Sequence, residues 1–455
     1  MSTALQNKNG RFDIAAKILV FAYSFLFIMY NTLLGGVLEV WEERFECVVG
    51  AGLVVITIIK FSALAVAEKK RWLTAQSLVF LYFAVRLLCL IGNGFDYSTI
   101  RSIFFEGVYL LALTVLTVDG SFVKRAVCPL IAVINLIFNA LNVLFWFYME
   151  HIAEATPLYV WLQNNTFYAK HGATFSTMYV NPNTFGIMTA FSIIIVICLC
   201  RRGMSSAAKA GTAVYMAFSF MCLMLSQCRS AQAGLIAALA AMLITVVIKP
   251  LTPKNTVTGF LILSIFLTGA MTGFIHSNLD TGIESEYGVN RYSADERALD
   301  NITTVRYTIW KDGYVASHDY RWLGSGSQKT ELASRNETKK EAFEAAGGDA
   351  AEYEPTKLST HNGYIGMMYV TGILGFVAFM AVLFVRIRKS RAFDTGLWYM
   401  PLVFILTVNH FECMMIISKF FTCLFMFLIL TVDSTRENIG DKAMGNYLSG
   451  LKGWY

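Results

Sequence analysis

The chain has 455 residues, of which 56% are apolar and only 15% are charged. Soluble domains average about 25% charged residues, so the composition excludes an ordinary soluble protein and indicates an integral membrane protein. The net charge of +6 does not indicate nucleic-acid binding, because the basic residues lie in short loops, as the positive-inside rule predicts. The nine cysteines form no CxxC pair and no zinc-ligand spacing, so we expect them to pack as small apolar residues.

Apolar runs close to the roughly 20 residues that a helix needs to cross a bilayer recur along the chain. The first run lacks a small-residue cleavage site, so we interpret it as a retained span rather than a signal peptide. The sequence predicts an all-α integral membrane protein, one polytopic domain over residues 1–455. We expect about twelve transmembrane helices, near 15–34, 47–66, 73–92, 101–118, 126–148, 180–200, 212–227, 230–248, 257–276, 361–385, 396–411 and 415–432.

The orientation of these spans follows from the basic residues of the loops. With twelve spans, all of the basic loop clusters fall on one side, which is therefore cytoplasmic together with both termini. The clusters are Lys69, Lys70 and Arg71; Lys124 and Arg125; Arg201 and Arg202; Lys249 and Lys254; and Arg386, Arg388 and Lys389. The acidic loop after the first span, which includes Glu42 and Glu43, falls on the outer side.

Two outer segments are long, at residues 149–179 and 277–360. The second is a large extracytoplasmic loop with helix-like pieces around 294–316 and 329–346. A loop of this length in a compact protein is usually functional. We find no internal repeat relating the two halves of the chain, which argues against a transporter built from inverted repeats.

Charged residues inside a bilayer are costly, so each one is a functional hypothesis by default. The alternative for each is an ion pair with a neighbouring helix, or a side chain that reaches the membrane interface. If they lined a cavity, Lys60, Arg86, Glu106 and Lys419 would favour a flippase or transporter. The full set is Lys60, Arg86, Glu106, Arg229 and Lys419, with His410 and Glu412 at an outer edge.

Arg229 lies at a predicted tight outer turn between two spans, followed by small residues up to Gly234 that allow helices to approach closely. A guanidinium group at this depth faces the outer headgroups, and its planar fork suits phosphate. A lipid diphosphate and an ordinary headgroup phosphate are both possible ligands.

The large outer loop contributes Arg306 and Trp310, which are four residues apart and share a helix face. An arginine beside an aromatic ring suits a diphosphate attached to a sugar. Gly324-Ser325-Gly326 follows and is interpreted as a flexible turn near the membrane. Arg291, Arg297 and Arg321 are expected to be solvated cations.

His361 stands directly before the tenth predicted span. Histidine suits proton abstraction from a hydroxyl group because it titrates near neutral pH. A histidine at a helix start can equally be a capping or packing residue. The outer side also carries His151, His171, His276 and His318, so position alone does not single out His361.

The order of these pieces resembles the O-antigen ligase and polymerase superfamily of bacterial envelope polysaccharide assembly, over roughly residues 178–385. Cys228 stands where the family often has serine. Four stretches carry the resemblance: Asn181-Pro182-Asn183-Thr184-Phe185-Gly186; Cys228-Arg229-Ser230-Ala231 with Gly234; Arg306 to Trp310 followed by Gly324-Ser325-Gly326; and His361-Asn362-Gly363-Tyr364 followed by Gly372-Ile373-Leu374-Gly375.

The resemblance implies a GT-C-like glycosyltransferase of the bacterial inner membrane, with its active site on the outer side. It also implies a glycan donor on undecaprenyl diphosphate, inverting transfer without a metal, and no cofactor. Arg229 and Arg306 would bind the diphosphate leaving group, and His361 would orient or deprotonate the acceptor. Asn183, Trp310, Asn362 and Tyr364 would bind substrate. A chain-length regulator or a flippase is a possible partner.

Within the superfamily, the resemblance leaves two activities open. A polymerase joins one lipid-linked repeat unit to another, and a ligase joins the finished glycan to lipid A core or to a protein. We favour the polymerase, because the chain has no extra soluble domain for a protein acceptor and because segment 149–179 could hold a second lipid-linked glycan. A transferase that uses Glu42 and Glu43 as an acidic pair, and a flippase or transporter, are the alternatives from other classes.

Overall fold

A computed structural model of the chain describes residues 3–116, 122–151, 156–165, 175–176, 178–179, 181–200, 204–248, 251–278, 306–345, 347–349, 353, 355, 360–390, 393, 396–414 and 421–431. Over these ranges the chain is helical and contains no strand. A single isolated bridge joins Thr32 and Tyr179. The prediction of an all-α membrane protein is confirmed.

The described helices number sixteen, in chain order. They are α1 (Thr3–Tyr30), α2 (Leu33–Ala63), α3 (Val66–Ala75), α4 (Ser77–Gly92), α5 (Tyr97–Leu116), α6 (Val123–His151), α7 (Pro157–Asn165), α8 (Pro182–Leu199), α9 (Ser206–Leu225), α10 (Arg229–Val247), α11 (Pro253–Ser277), α12 (Arg306–Ala316), α13 (Gln328–Ala345), α14 (Gly363–Lys389), α15 (Met400–Val408) and α16 (Phe421–Thr431).

Nine of the described helices are long and apolar enough to cross a membrane. Helices α3 and α4 form a pair bent by 63°, and counting this pair as one span gives ten. These ten coincide with the first ten predicted spans. The predicted spans at 396–411 and 415–432 contain α15 and α16, which have only 9 and 11 residues in the described part of the chain. A helix needs roughly 20 residues to span the bilayer, so the count of twelve is not confirmed.

Helix α8 lies at the centre of the bundle and packs against α6, α9, α10 and α15. Both α8 and α15 are apolar on all sides, as expected for helices surrounded by protein. Helices α10 and α15 approach closely because residue 234 of α10 is a glycine. A methyl group at Gly234 would lie 2.5 Å from Val408 Cγ2 and 2.8 Å from Phe404 Cδ2. The predicted close approach after Arg229 is therefore present.

The large outer loop contains two helices, as predicted. Helix α13 matches the piece expected at 329–346, and α12 matches the second half of the piece expected at 294–316; residues 294–305 lie outside the described chain. Helices α12 and α13 pack against each other and against α14. This part of the loop is thus folded onto the helix bundle.

Helix α14 is interrupted at Gly372, whose backbone has φ 70° and ψ 173°. Gly324-Ser325-Gly326 of the outer loop is buried and lies against this interruption, where Ser325 N donates to Tyr369 O at 2.9 Å. The predicted single span 361–385 is therefore two half-helices. The prediction of a flexible turn at Gly324-Ser325-Gly326 is wrong, because its backbone groups are bonded to α14.

Candidate active site

His361 adopts a left-handed backbone conformation, with φ of 46°. Such a conformation is uncommon for a residue with a Cβ and persists only where the surroundings impose it. The next residue, Asn362, caps α14: its Oδ1 accepts from Tyr364 N and Ile365 N, each at 3.0 Å. The cap satisfies two backbone donors at the helix start, so the direction of the chain at His361 is fixed locally.

Gly363 brings the start of α14 into direct contact with the turn that follows α15. Its N–H donates to Asn409 O at 2.8 Å, and a methyl group at this glycine would lie 1.9 Å from Asn409 Oδ1. Asn409 Oδ1 also accepts from Met414 N at 2.8 Å, which holds residues 409–414 as a compact turn. Glu412 lies in this turn. The cap at Asn362 and the contact at Gly363 therefore place His361 close to Glu412.

The Glu412 carboxylate is the point at which four distant parts of the chain meet. Its Oε1 accepts from Arg306 Nη2 at 2.9 Å and from Asn183 Nδ2 at 2.8 Å. Its Oε2 lies 3.1 Å from His361 Nδ1. Glu412 is 7% exposed. Buried carboxylates require such partners, so the structure brings together three of the predicted site residues through one that was not predicted as part of the site.

The contact with Glu412 determines which nitrogen of His361 is available for chemistry. A carboxylate can only accept hydrogen bonds, so Nδ1 carries a proton, and in the neutral imidazole Nε2 is then the acceptor. No hydrogen bond joins Nε2 to any residue in the described ranges, and the side chain is 27% exposed. His361 is thus held through Nδ1 by a carboxylate, and Nε2 is the nitrogen left open.

Arg306 is the first residue of α12 and bonds Glu412 through one nitrogen, Nη2. Its side chain is 18% exposed, and its remaining N–H groups bond nothing else in the described chain. A guanidinium group has five N–H donors in a planar fork. The unused donors suit the oxygens of a phosphate.

Arg229 lies beside this cluster and is not bonded to it. Its side chain is exposed and bonds no residue in the described ranges. The residue before it, Cys228, contacts the start of α8: the Sγ atom lies 3.5 Å from Asn183 O, and a methyl group at Gly186 would meet Cys228 Cβ at 2.3 Å. The structure therefore places the residue before Arg229 next to the backbone of Asn183, which is itself a partner of Glu412.

Three residues predicted to bind substrate are buried instead. Trp310 is 4% exposed and donates from Nε1 to Thr360 O at 2.7 Å. Tyr364 is fully buried and donates to Leu406 O at 2.9 Å, while Asn362 is used as the cap of α14. Their polar groups hold the backbone around His361, so the geometry favours a positioning role over contact with a sugar.

Cys413 illustrates the packing role expected of the cysteines. Its Sγ atom lies 3.3 Å from Thr360 Oγ1, one residue before His361. Burial raises the pKa of the Cys413 thiol to about 11, so the sulfur is a neutral thiol at physiological pH and not a nucleophile.

The other charged candidates are mostly engaged elsewhere. Arg86 and Glu106 bond each other inside the protein, and Lys60 bonds Asp13, so these residues form ion pairs with neighbouring helices. Arg321 is half-buried rather than fully solvated, and its guanidinium group lies 5.0 Å from the centre of the Tyr314 ring.

Among the histidines, His276 bonds Tyr314, while His151 and His318 are exposed. Several predictions concern parts of the chain that the structure does not describe. They are those for Arg291, Arg297, His171 and Lys419 and for the side chains of Glu42 and Glu43. Among the described histidines, only His361 forms a hydrogen bond with Glu412, so the structure supplies the distinction that position in the sequence did not.

Glu412 is the residue that the sequence failed to assign to the site. The available signal was an acidic residue at the outer edge of an apolar run, His410-Phe411-Glu412, which is unusual at that depth. Nothing in the local pattern links it to His361, because the two are joined only by the fold.

The family model described as O-antigen ligase matches residues 214–380. This match supports the O-antigen ligase/polymerase superfamily. No curated protein matches the chain. The region matched by the superfamily model runs from within α9 into α14 and includes Arg229, Arg306 and His361; Asn183 and Glu412 lie outside it. Members of the superfamily are glycosyltransferase-like enzymes of polysaccharide assembly that act on lipid-linked glycans.

Proposed function

We propose that the protein is a polysaccharide polymerase that joins undecaprenyl-diphosphate-linked repeat units at the outer leaflet of a bacterial inner membrane. The observation that carries the proposal is the meeting of Arg306, His361 and Asn183 on the Glu412 carboxylate. An anion-binding group and a candidate base lie on either side of one carboxylate. This arrangement suits transfer of a glycan from a diphosphate to a hydroxyl group.

On the acceptor side, Nε2 of His361 accepts the proton of the acceptor sugar hydroxyl. The hydroxyl oxygen forms a bond to the anomeric carbon of the donor sugar, and the bond from that carbon to the phosphate oxygen breaks. The electron pair leaves with undecaprenyl diphosphate, and attack from the opposite face inverts the anomeric configuration. Glu412 keeps the His361 ring in place and stabilises the imidazolium that forms, as carboxylates do beside catalytic histidines.

On the donor side, Arg306 and Arg229 meet the charge of the diphosphate. Negative charge grows on the leaving phosphate as the glycosidic bond breaks, and groups that stabilise this growing charge accelerate the reaction. Two guanidinium groups supply that stabilisation without a metal ion. In the free protein, Glu412 occupies one nitrogen of Arg306, while Arg229 is exposed at the neighbouring turn.

A ligase is the second candidate, and the description of the matching family model, O-antigen ligase, favours it. The chemistry at His361 and Arg306 is the same for both activities, because they differ in the acceptor and not in the donor. The acceptor is a second lipid-linked repeat unit for the polymerase, and lipid A core or a protein for the ligase.

The two candidates are separated by incubating the purified protein with a lipid-linked repeat unit as its sole substrate. A ladder of longer lipid-linked products supports the polymerase. Transfer that occurs only after lipid A core is added supports the ligase. If neither incubation gives a product, the proposed transferase function is wrong.

Variants connect the activity to the site. We expect His361→Ala and Arg306→Ala to abolish the ladder, and His318→Ala, at an exposed histidine of the same outer loop, to leave it unchanged. If both site variants retain polymer assembly while changes at Lys60 or Glu106 abolish it, a transport function replaces the transferase.

A further inference from the structure

Arg86 of α4 and Glu106 of α5 form a buried ion pair in the first third of the chain, which the family model does not match. Arg86 is fully buried and Glu106 is 3% exposed. Two hydrogen bonds of 2.9 Å join the guanidinium group to the two carboxylate oxygens, and Tyr82 donates to Glu106 Oε2 at 3.0 Å. A buried bidentate pair of this kind adds little net stability, because desolvation offsets the attraction. Stability alone therefore does not explain it.

The remaining donors of Arg86 hold two other parts of the chain. Nη2 donates to Gly326 O at 2.7 Å, in the large outer loop, and Nη1 donates to Val370 O at 3.3 Å, in α14. Asn93, at the end of α4, adds a bond from Nδ2 to Gly324 O at 2.9 Å. One buried cation thus fixes the outer loop to the helix that carries His361 at its start.

The outer loop replaces the helical hydrogen bonds that are missing at the break in α14. In a continuous helix, the N–H groups of Ile373 and Leu374 would donate to the carbonyls four residues earlier, those of Tyr369 and Val370. They donate instead to Arg321 O at 3.0 Å and Trp322 O at 3.3 Å. Every buried backbone group needs a partner, so the break exists only while the loop is in place.

The two carbonyls released by the break accept from the same loop. Tyr369 O accepts from Ser325 N and Val370 O accepts from Gly326 N, each at 2.9 Å. We call this pairing of residues 321–326 with residues 369–374 the loop clasp.

Glycine is required at the centre of the loop clasp. Gly324, Gly326 and Gly372 all have positive φ, of 82°, 94° and 70°. A methyl group at Gly324 would lie 2.3 Å from Val370 O, and one at Gly372 would lie 2.2 Å from Trp322 O. Only glycine combines this backbone conformation with so close an approach of two backbones.

Two hydrogen bonds connect the loop clasp to the candidate active site. Tyr369, whose carbonyl belongs to the clasp, donates from its hydroxyl group to Trp310 O at 2.7 Å, one turn after Arg306 in α12. Trp310 in turn donates to Thr360 O, directly before His361. A displacement of the clasp would therefore move the supports of both Arg306 and His361.

We propose that the Arg86–Glu106 pair is a positioning device: by holding Gly326 and Val370 together, it fixes the outer half of α14 and, through Trp310, the geometry of Arg306 and His361. The consequence for activity rests on the proposed glycosyl transfer. Arg86 and Glu106 touch no reacting group and act through the loop clasp.

The test uses the full-length protein in lipid nanodiscs and the double variant Arg86→Met/Glu106→Leu. Removing both charges leaves no unpaired ion in the interior, so the variant is expected to fold. Amide hydrogen exchange is followed in peptides covering 323–327, 361–366 and 371–375, together with the rate of ladder formation. Lys60→Met/Asp13→Leu is the matched control, because Lys60 also bonds a carboxylate and a backbone carbonyl, that of Leu116, away from the clasp.

We expect exchange in all three peptides to rise at least about tenfold in the Arg86/Glu106 double variant, and the rate to fall by on the order of 10²-fold, as for small misplacements of reacting groups. The Lys60/Asp13 control keeps the wild-type exchange in these peptides. Wild-type exchange in the double variant overturns the inference. If the double variant does not fold, Arg86→Lys replaces it in the test. Lysine keeps the positive charge but lacks the planar guanidinium group. Wild-type exchange in this variant likewise overturns the inference.

The exchange measurement separates this inference from the proposed function. If exchange rises as expected while the wild-type protein forms no product from either acceptor, the transferase function is wrong and the positioning of the loop clasp stands. If wild-type protein forms the ladder and the double variant forms it at the same rate with unchanged exchange, the function stands and the positioning role is wrong.

Discussion

Glu412 and His361 lie 51 positions apart in the chain, and the carboxylate Oε2 accepts a hydrogen bond from the imidazole Nδ1 at 3.1 Å. The same carboxylate accepts from Arg306, so it links the candidate base to the candidate diphosphate-binding group. This link makes Glu412 a positioning residue for the proposed reaction. It also leads to predictions about which substitutions impair activity without unfolding the protein.

Glu412→Gln removes the charge. Because Arg306 and Asn183 both donate to the same carboxylate oxygen, the amide oxygen takes that place and the new amide N–H group faces His361. We expect ladder formation to fall by roughly 10²- to 10⁴-fold, because the His361 ring loses the acceptor that fixes its tautomer. The rate is measured on purified protein alongside thermal unfolding. Glu337→Gln, at an exposed residue of α13, is the matched control and keeps the wild-type rate. A Glu412→Gln variant with unaltered activity would remove Glu412 from the site.

Arg306→Lys keeps the positive charge and loses the planar fork. A single ammonium group cannot bond Glu412 and two phosphate oxygens in the geometry that a guanidinium group offers. We expect both the affinity for the lipid-linked donor and the turnover to drop, by about tenfold or more in kcat/KM. Arg388→Lys, at the exposed C-terminal end of α14, tests for a general effect of the substitution. Equal loss in the two variants would argue against a specific role for Arg306.

Trp310→Phe distinguishes positioning from sugar stacking. Phenylalanine keeps an aromatic face but leaves the buried Thr360 carbonyl without its donor, which costs about 1–3 kcal/mol. If Trp310 positions His361, the variant unfolds at a lower temperature and forms the ladder more slowly. If the ring stacks on a sugar, stability is unchanged and only the KM for the glycan responds. We predict the first result, because Trp310 is 4% exposed.

Gly363→Ala tests the contact between α14 and the turn after α15. The added methyl group would lie 1.9 Å from Asn409 Oδ1, so the two segments must separate, at an expected cost of about 1–3 kcal/mol in unfolding free energy. Gly259→Ala in α11, where a methyl group meets nothing within 4 Å, should be neutral or slightly stabilising. Thermal unfolding in detergent measures both variants. Equal stability of the two would contradict the described packing.

The sequence predicted the elements of the fold that depend on composition and local pattern. Long apolar runs identified the ten candidate spans of the described residues, and His361 followed by Asn362 correctly marked the start of α14. Arg306 was recognised because it lies four residues before Trp310, on the same face of a helix-like piece. These features follow from residues close together in the chain, where hydropathy and capping preferences act.

The features that the sequence did not predict depend on contacts between distant segments. Gly372-Ile373-Leu374-Gly375 has the pattern of a continuous apolar helix, and its break exists because residues 321–326 supply the missing hydrogen bonds. Glu412 entered the site for the same reason, since its partners come from α8, α12 and the start of α14. Trp310 was assigned to sugar binding because aromatic side chains suit that role. In the structure it is buried, and its indole N–H group donates to Thr360 O.

The central claim is that Arg306 and His361 form one site for a lipid-linked diphosphate and its acceptor. A cryo-EM structure of the protein with undecaprenyl diphosphate in nanodiscs tests this most directly. We predict a diphosphate against the Arg306 and Arg229 guanidinium groups, with N–O distances of about 2.7–2.9 Å, and with Nε2 of His361 facing the side where the sugar would be attached. A diphosphate bound away from Arg306, or a His361 ring separated from Glu412, would contradict the account.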